Sequence, residues 1–500
     1  MLDGGGRSGQ NRVAPGDADS VYPGGGLETV AMIQGNEFRI FRLPVAAMAA
    51  LALLAQPAVA QPAGEPESIL PPAVSTPAPA APTVPQTTTT SPPADTTMTS
   101  VPVIQPLPVI EPEMVWTLGD AQALLGVIEG IGSEGLFPAD YRVSALRQAI
   151  LAGEGDELNA VASKSFSWLV EDLRDGRTPV TERVQWFAVD PDQDVAPTEQ
   201  IMTAALQSHD VPGVLASLAP THPDYEVLKA ELAATPETDK ARRALIRANM
   251  DRWRWLARDL GEVYLLTNVP EFQLRLTVKN RIIRTYRTIV GKPGRTATPQ
   301  LAETVEAVVF NPTWTVPQSI VKGEGLGARL LANPASARRQ GYKVTKAADG
   351  TVYVVQQPGP NNSLGLMKIH IPNPHAIYFH DTPSKHLFDR DVRAFSHGCI
   401  RTERAVELGM TMAILGAELP AQEAADISRS GKYTKVAMTR TFPAYITYFT
   451  MGRDIDGNLR SFNDIYDRDK PVLDSFAAPR QPKTSQRKSD EPIIQLDNPL

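Results

Sequence analysis

A single cysteine, Cys399, serves all 500 residues of this chain. That scarcity excludes an internal disulfide framework, a CxxC redox pair and a cysteine-rich zinc site together. No long basic run occurs and the net charge is −7, so a cationic face for nucleic acid is excluded as well. Long apolar runs are also missing. The best one, Leu43–Ala55, falls short of the roughly 20 residues a membrane-spanning helix needs. No repeat of fixed period is visible. Proline, by contrast, is abundant: 44 residues are too many for a uniformly packed chain and predict a sizeable unfolded stretch. The 42% apolar and 21% charged content leaves enough for a packed core.

The composition divides the chain. Arg39 and Arg42 precede the run Leu43–Ala55, which ends at the small-residue site Ala58-Val-Ala60. Basic, apolar and A-x-A segments in that order read as a signal peptide region over 1–60, with Met32 the expected start, and predict export to the periplasm. An uncleaved N-terminal anchor is the alternative, and no cysteine near residue 60 allows lipid attachment. Residues 61–113, rich in Pro, Ala and Thr, read as a disordered tether, and the polar segment 476–500 reads as a disordered tail. Between 114 and 260, apolar residues at helical spacing predict a helical domain with helices over 121–129, 144–151, 158–174, 198–207, 225–233 and 240–260. Nothing in it looks chemically active, so a scaffold is expected. The period changes after Gly261: Phe272, Leu274, Leu276 and Val278 alternate with polar residues. The fold class expected is α+β, an N-terminal helical scaffold followed by a mostly antiparallel β-sandwich over 261–475. A helical lid insertion is expected at about 318–365.

Five of the seven histidines lie between His370 and His397, and Cys399 follows. A nucleophilic thiol needs a base and donors for a developing oxyanion. His380, at the end of a predicted strand, is the candidate base. Gly398 permits close backbone approach. Cys399 is expected just before a helix with Thr402 as N-cap, a placement that lowers a thiol pKa. The competing reading of Cys399 is a small buried hydrophobe. A metal site is disfavoured because His375, His380, His386 and His397 lack the i,i+4 pairing of zinc helices. His370, His375 and His386 are read as structural or surface residues.

The strings His380-Asp-Thr-Pro-Ser-Lys-His-Leu-Phe388 and Ser396-His-Gly-Cys-Ile-Arg401 resemble the signature of the YkuD-type L,D-transpeptidase catalytic domain, in its large periplasmic YcbB-like branch. Arg252-Trp-Arg-Trp-Leu256, Ile289-Val-Gly-Lys-Pro-Gly294, Asn311-Pro-Thr-Trp-Thr-Val-Pro317 and Asp464-Ile-Tyr-Asp-Arg-Asp469 follow the family's order. The resemblance implies that Cys399 attacks a peptidoglycan tetrapeptide stem, expels D-alanine and passes the acyl group to an amine, giving a 3–3 cross-link. It implies His380 as base and later acid, the Asp381 backbone carbonyl fixing the imidazole tautomer, and His397 and Gly398 beside the oxyanion. Arg401 is read as a substrate-carboxylate contact or a structural ion pair, Tyr378 and Trp314 as groove lining or packing. No cofactor is implied. Stem peptides are the expected partners, other cell-wall enzymes are candidates, and a monomer is expected; carbapenem acylation follows from the same thiol chemistry. The helical peptidoglycan-binding module common in this branch has no room between residues 233 and 252. An L,D-carboxypeptidase or cross-link hydrolase with the same Cys and His, and a non-catalytic wall-binding scaffold, remain the alternatives.

Overall fold

Helical periodicity does become helix in the first half of the described chain. The computed structural model describes residues 114–482, so the signal region and tether over 1–113, and 483–500 of the expected tail, lie outside the described residues. Eight helices come first: α1 (Leu118–Gly130), α2 (Val143–Ala152), α3 (Asp156–Asp175), α4 (Asp192–Val195), α5 (Thr198–Ser208), α6 (Val211–Ala216), α7 (Pro223–Ala234) and α8 (Lys240–Trp253). On α3 the expected stripe is realised: Phe166, Leu169 and Leu173 are buried with Trp116, Leu124 and Leu158 in one cluster. Each such side chain contributes roughly 1.5–3 kcal/mol on burial. Val161, expected on that stripe, is only partly buried at its edge.

Helix α8 stops seven residues before its expected end, and the reason is electrostatic anchoring. Arg252 is buried and donates to Asp469 Oδ1 at 2.6 Å, Thr450 Oγ1 at 3.1 Å and the Arg468 carbonyl at 2.9 Å. Arg254, equally buried, turns to the Glu134 carbonyl and to the Tyr225 hydroxyl. The Arg-Trp-Arg-Trp string therefore joins the helical region to the strand-rich region. Losing one partner of a buried pair costs about 3–5 kcal/mol because the other charge stays buried. Arg252→Met should accordingly lower the thermal midpoint by several degrees or more, read by calorimetry; an unchanged midpoint would show the joint to be unimportant.

The second half contains twelve strands used below: β1 (Val263–Asn268), β2 (Gln273–Val278), β3 (Arg281–Gly291), β4 (Leu301–Phe310), β5 (Trp314–Thr315), β6 (Tyr342–Lys346), β7 (Val352–Gln356), β8 (Met367–His370), β9 (Phe379–His380), β10 (Ala394–Ser396), β11 (Ile400–Thr402) and β12 (Thr434–Thr447). Nine of them form one sheet in the order β10-β3-β11-β9-β8-β4-β12-β1-β2, and β2 pairs back onto β3. That last pairing closes the sheet. β1–β12, β9–β11 and β3–β10 are parallel. The expected antiparallel sandwich is thus corrected to a mixed, barrel-like sheet. Two strands decide the difference. β1 is buried along its whole length and shows no alternation, and β12 carries Pro443 inside it, which argues against a central strand when read from sequence alone. The barrel interior holds Leu274, Leu276, Val308, Phe310, Ile369, Phe379 and Ile400. Even the polar face of β2 is covered: Arg275 is buried and pairs with Glu271 and Asp224.

Residues 318–365 fold as α9 (Gln318–Gly323), α10 (Leu326–Ala332) and α11 (Pro334–Arg339) beside the three-stranded sheet β5-β7-β6. Val316, Val321, Leu326, Leu330, Ala337 and Val354 give this segment its own small core. It is a mixed subdomain and not purely helical. After β11 come α12 (Ala405–Ala417), which packs Leu408 and Met412 into the barrel core, α13 (Ala421–Arg429) and α14 (Asp469–Ala477). Composition placed the tail's start at 476, yet α14 runs to Ala477, and the buried Arg480 pairs with Asp172 and Glu171 of α3.

Candidate active site

Strand β9 is only two residues long, and its register builds the site. β8 runs antiparallel to it with Lys368 opposite His380 and Ile369 opposite Phe379. β11 runs parallel on the other side with Ile400 opposite Phe379 and Arg401 opposite His380. Because strand side chains alternate, Ile369, Phe379 and Ile400 all enter the barrel core. Lys368, Tyr378, His380 and Arg401 take the opposite face, and Cys399, one residue before β11, joins them. The Ile400 N–H donates to the Tyr378 carbonyl at 3.1 Å, which holds the cysteine beside that tyrosine.

His380 is buried, and its Nδ1 lies 2.5 Å from the Asp381 carbonyl. A carbonyl only accepts, so Nδ1 carries the proton and Nε2 is left as the acceptor. Asp381 is itself held: its carboxylate accepts from the Leu366 N–H at 2.9 Å and from Lys385. The histidine's ring lies 5.6 Å from that of Tyr378. Burial pulls the imidazole pKa down to about 3, helped by the positive charges of Arg401, Lys368 and Lys385 and opposed by the Asp381 carbonyl. His380 is therefore a neutral base at ordinary pH.

Cys399 is half-buried, and its Sγ lies 3.5 Å from the Ala376 carbonyl. Ala376 holds φ 53°, an unfavourable value for a residue with a Cβ, so local strain aims that carbonyl. Tyr378 lies close enough to the sulfur for each to perturb the other's titration, and Trp314 bears on Tyr378 in the same way. Burial pushes the Cys399 thiol up; Tyr378, Lys368 and Arg401 pull the other way without cancelling it. The expected helix N-terminus beside the thiol is absent. β11 intervenes, and the residue preceding α12 is Arg404, not Thr402, which lies buried within the strand. The thiol is thus raised where a lowered pKa was expected, and thiol and imidazole are both neutral at rest.

The loop holding the nucleophile is fastened from below. Gly398 has φ 118°, its carbonyl accepts from Thr298 Oγ1 at 2.7 Å, and its N–H donates to Ser396 Oγ at 3.0 Å. Gly398 therefore supplies the turn, while its N–H is already engaged. The same Thr298 hydroxyl accepts from the Gly291 N–H at 2.9 Å, and Tyr466 donates to the Gly291 carbonyl at 2.6 Å. The outlying strings around Gly291 and Asp464 thereby act on Cys399 through its loop. His397 is exposed and places Nε2 2.8 Å from Glu324 Oε1, tying the loop to the 318–365 subdomain. His370 is half-buried on β8, His375 stacks near Phe187 with ring centres 4.2 Å apart, and His386 lies in the turn Lys385–Asp389. Among the described residues no group of three His, Cys, Asp or Glu side chains could hold a metal ion.

Sequence reading missed Lys368 and Thr298, and gave Ser396 no role of its own although it opens the string that carries Cys399. Lys368 left a signal in its two-residue spacing from His370 in the alternating string Met367-Lys-Ile-His370, and Thr298 left none.

Residues 262–409 match the family described as L,D-transpeptidase catalytic domain, YkuD, and residues 111–232 match the Scaffold domain. A curated Haemophilus influenzae protein named "Putative L,D-transpeptidase" is 27% identical over 223 residues, which is 42% of this chain and 45% of that protein. The chain thus matches under half the length of that relative. Among solved structures, an L,D-transpeptidase from Mycobacterium smegmatis is 16% identical over 37% of this chain and 59% of that one, with a TM-score of 0.19. L,D-transpeptidase 3 from Mycobacterium tuberculosis, in complex with a faropenem-derived adduct, is 12% identical over 37% and 60%, with a TM-score of 0.20.

Proposed function

Since the chain joins a Scaffold domain to a YkuD-type L,D-transpeptidase catalytic domain in the YcbB-like arrangement, we propose that it transfers acyl groups between peptidoglycan stem peptides through Cys399. The observation that carries this reading is the β8-β9-β11 register, which sets His380, Tyr378, Arg401 and Cys399 on one face with the histidine's Nδ1 held by Asp381. His380 Nε2 takes the thiol proton as Sγ attacks the carbonyl of the third stem residue. The C–N bond to the terminal D-alanine breaks, and the imidazolium returns the proton to the leaving amine. The thioester then passes its acyl group to an amine of a neighbouring stem, forming a 3–3 cross-link. The Cys399 N–H, which has no acceptor among the described residues, is the backbone donor best placed for the oxyanion. Trp314 and Tyr378 line the entrance, and the 318–365 subdomain, tied to His397 through Glu324, covers it as a lid.

Export to the periplasm and work as a monomer belong to the same reading. No helix among the described residues is long and apolar enough to cross a membrane. Purified protein incubated with tetrapeptide muropeptides should give cross-linked dimers with release of D-alanine. Tripeptide monomers alone would make it an L,D-carboxypeptidase, and no product at all would make it a wall-binding scaffold.

A further inference from the structure

One segment of the helical region, 185–187, reaches both loops that flank the nucleophile. Its backbone pairs with Gln300: the Gln300 N–H donates to the Gln185 carbonyl at 2.9 Å, and the Phe187 N–H donates to the Gln300 carbonyl at 2.9 Å. Arg468 fastens this pairing by donating to the side-chain oxygens of Gln185 and Gln300. Gln300 Nε2 in turn donates to the Thr298 carbonyl at 3.2 Å, and Thr298 is the residue whose hydroxyl holds Gly398. On the other side the Phe187 ring lies against His375, with ring centres 4.2 Å apart. His375 precedes Ala376, whose carbonyl faces the Cys399 sulfur. Ala376 has φ 53°, and a residue with a Cβ stays there only when its surroundings hold it. Asn373 does so from within the loop. Its Oδ1 accepts from the N–H groups of His375 and Ile377, both at 3.1 Å, and its Nδ2 donates to the Ile377 carbonyl at 2.8 Å. Phe187 supplies a contact from outside the loop.

We propose that Phe187 and His375 are positioning residues for Cys399, so that the helical region fixes where the thiol points before a donor arrives. Their catalytic consequence rests on the acyl-transfer reading above. A rigid aromatic pair leaves the 373–376 turn little freedom to drift. The Ala376 carbonyl can only accept, so at rest it takes the S–H hydrogen bond and fixes the rotamer of the sulfur. During acylation that proton passes to His380 Nε2, and the sulfur attacks from the position the carbonyl had given it. An acceptor facing the sulfur also favours thiol over thiolate. Without the ring contact the turn relaxes toward ordinary dihedrals, and the carbonyl swings away from the sulfur. The thiol then ionises more readily yet is aimed less well.

The test uses the full chain with Phe187→Ala, His375→Ala and His375→Phe, each read in two ways. The first readout is the single-turnover acylation constant with a tetrapeptide donor. The second is the pH dependence of alkylation by iodoacetamide at Cys399, the only thiol in the chain. The charged and titratable groups around the sulfur, Lys368, Tyr378, His380, Asp381 and Arg401, are the same in every variant. Both alanine variants should lower the acylation constant by roughly 10- to 100-fold, with the half-saturating donor concentration within roughly twofold of wild type. Their alkylation midpoint should move down by roughly 0.3–1 pH unit, the effect of losing one hydrogen bond to the thiol. His375→Phe keeps a ring against Phe187 and should restore most of both. A lower thermal midpoint with both readouts unchanged would overturn the inference by making the contact mere packing. So would a His375→Phe chain as impaired as His375→Ala. If Phe187→Ala does not fold, the two His375 variants, on a half-buried loop position, decide alone. A wild-type chain that the donor does not acylate would remove the transfer reading, while the alkylation midpoints would still decide this one.

Discussion

Cys399→Ala should abolish turnover of tetrapeptide donor, a fall of at least roughly 10⁴-fold to the background rate, while leaving the thermal midpoint within a degree or two of wild type. The first expectation follows from chemistry: no other thiol exists in the chain, and removing the nucleophile of a covalent mechanism leaves only binding and oxyanion contributions. The second follows from packing. Cys399 is half-buried at the edge of the loop, and its sulfur makes one long contact, to the Ala376 carbonyl. Thr298 and Ser396 hold the loop through Gly398, whose contacts survive the substitution. Residual turnover above a hundredth of wild type would show that another group carries the chemistry.

The second large effect is at His380. His380→Gln keeps a hydrogen-bonding side chain of similar reach but removes the base, and acylation should fall by roughly 10²- to 10⁴-fold. The pH dependence separates this account from an ion-pair mechanism. With the imidazole pKa at about 3, the base stays neutral as pH falls through 6.5, so the rate of acylation should hold down to about pH 4. A break near 6.5 would contradict it. Stability responds in the opposite sense. A buried histidine with a depressed pKa favours the folded state above 6.5, where both states are neutral. As pH falls from 6.5 toward 3, only the unfolded chain takes up the proton, and stability is lost. His222, lowered to about 4 chiefly by burial, acts in the same direction. His380→Gln should therefore reduce, but not remove, the acid sensitivity of the thermal midpoint.

What could be read in advance follows the range of the interactions involved. Helices such as α3 were legible because a 3.6-residue period is local and long. The two strings carrying His380 and Cys399 were legible because each keeps its chemistry within a few consecutive residues. The barrel was not, because closure needs β12 beside β1 in parallel and β11 inserted between β3 and β9, and no local pattern encodes those distant partners. The helix expected at Cys399 failed for the same reason. Ile400, Arg401 and Thr402 are too few to show a two-residue period, and they become a strand only because β3 and β9 supply partners from either side. Lys368 went unnoticed since its importance lies in standing opposite His380, twelve positions away in sequence.

The proposed acyl transfer stands on one covalent bond, and that bond can be weighed. Wild-type protein mixed with a tetrapeptide donor in the absence of any amine acceptor should gain the mass of the donor less D-alanine, and peptide mapping should place the adduct on Cys399. The Cys399→Ala chain should gain nothing. An adduct elsewhere, or product formed by the wild-type chain without any acyl-enzyme on Cys399 even under rapid quench, would contradict it.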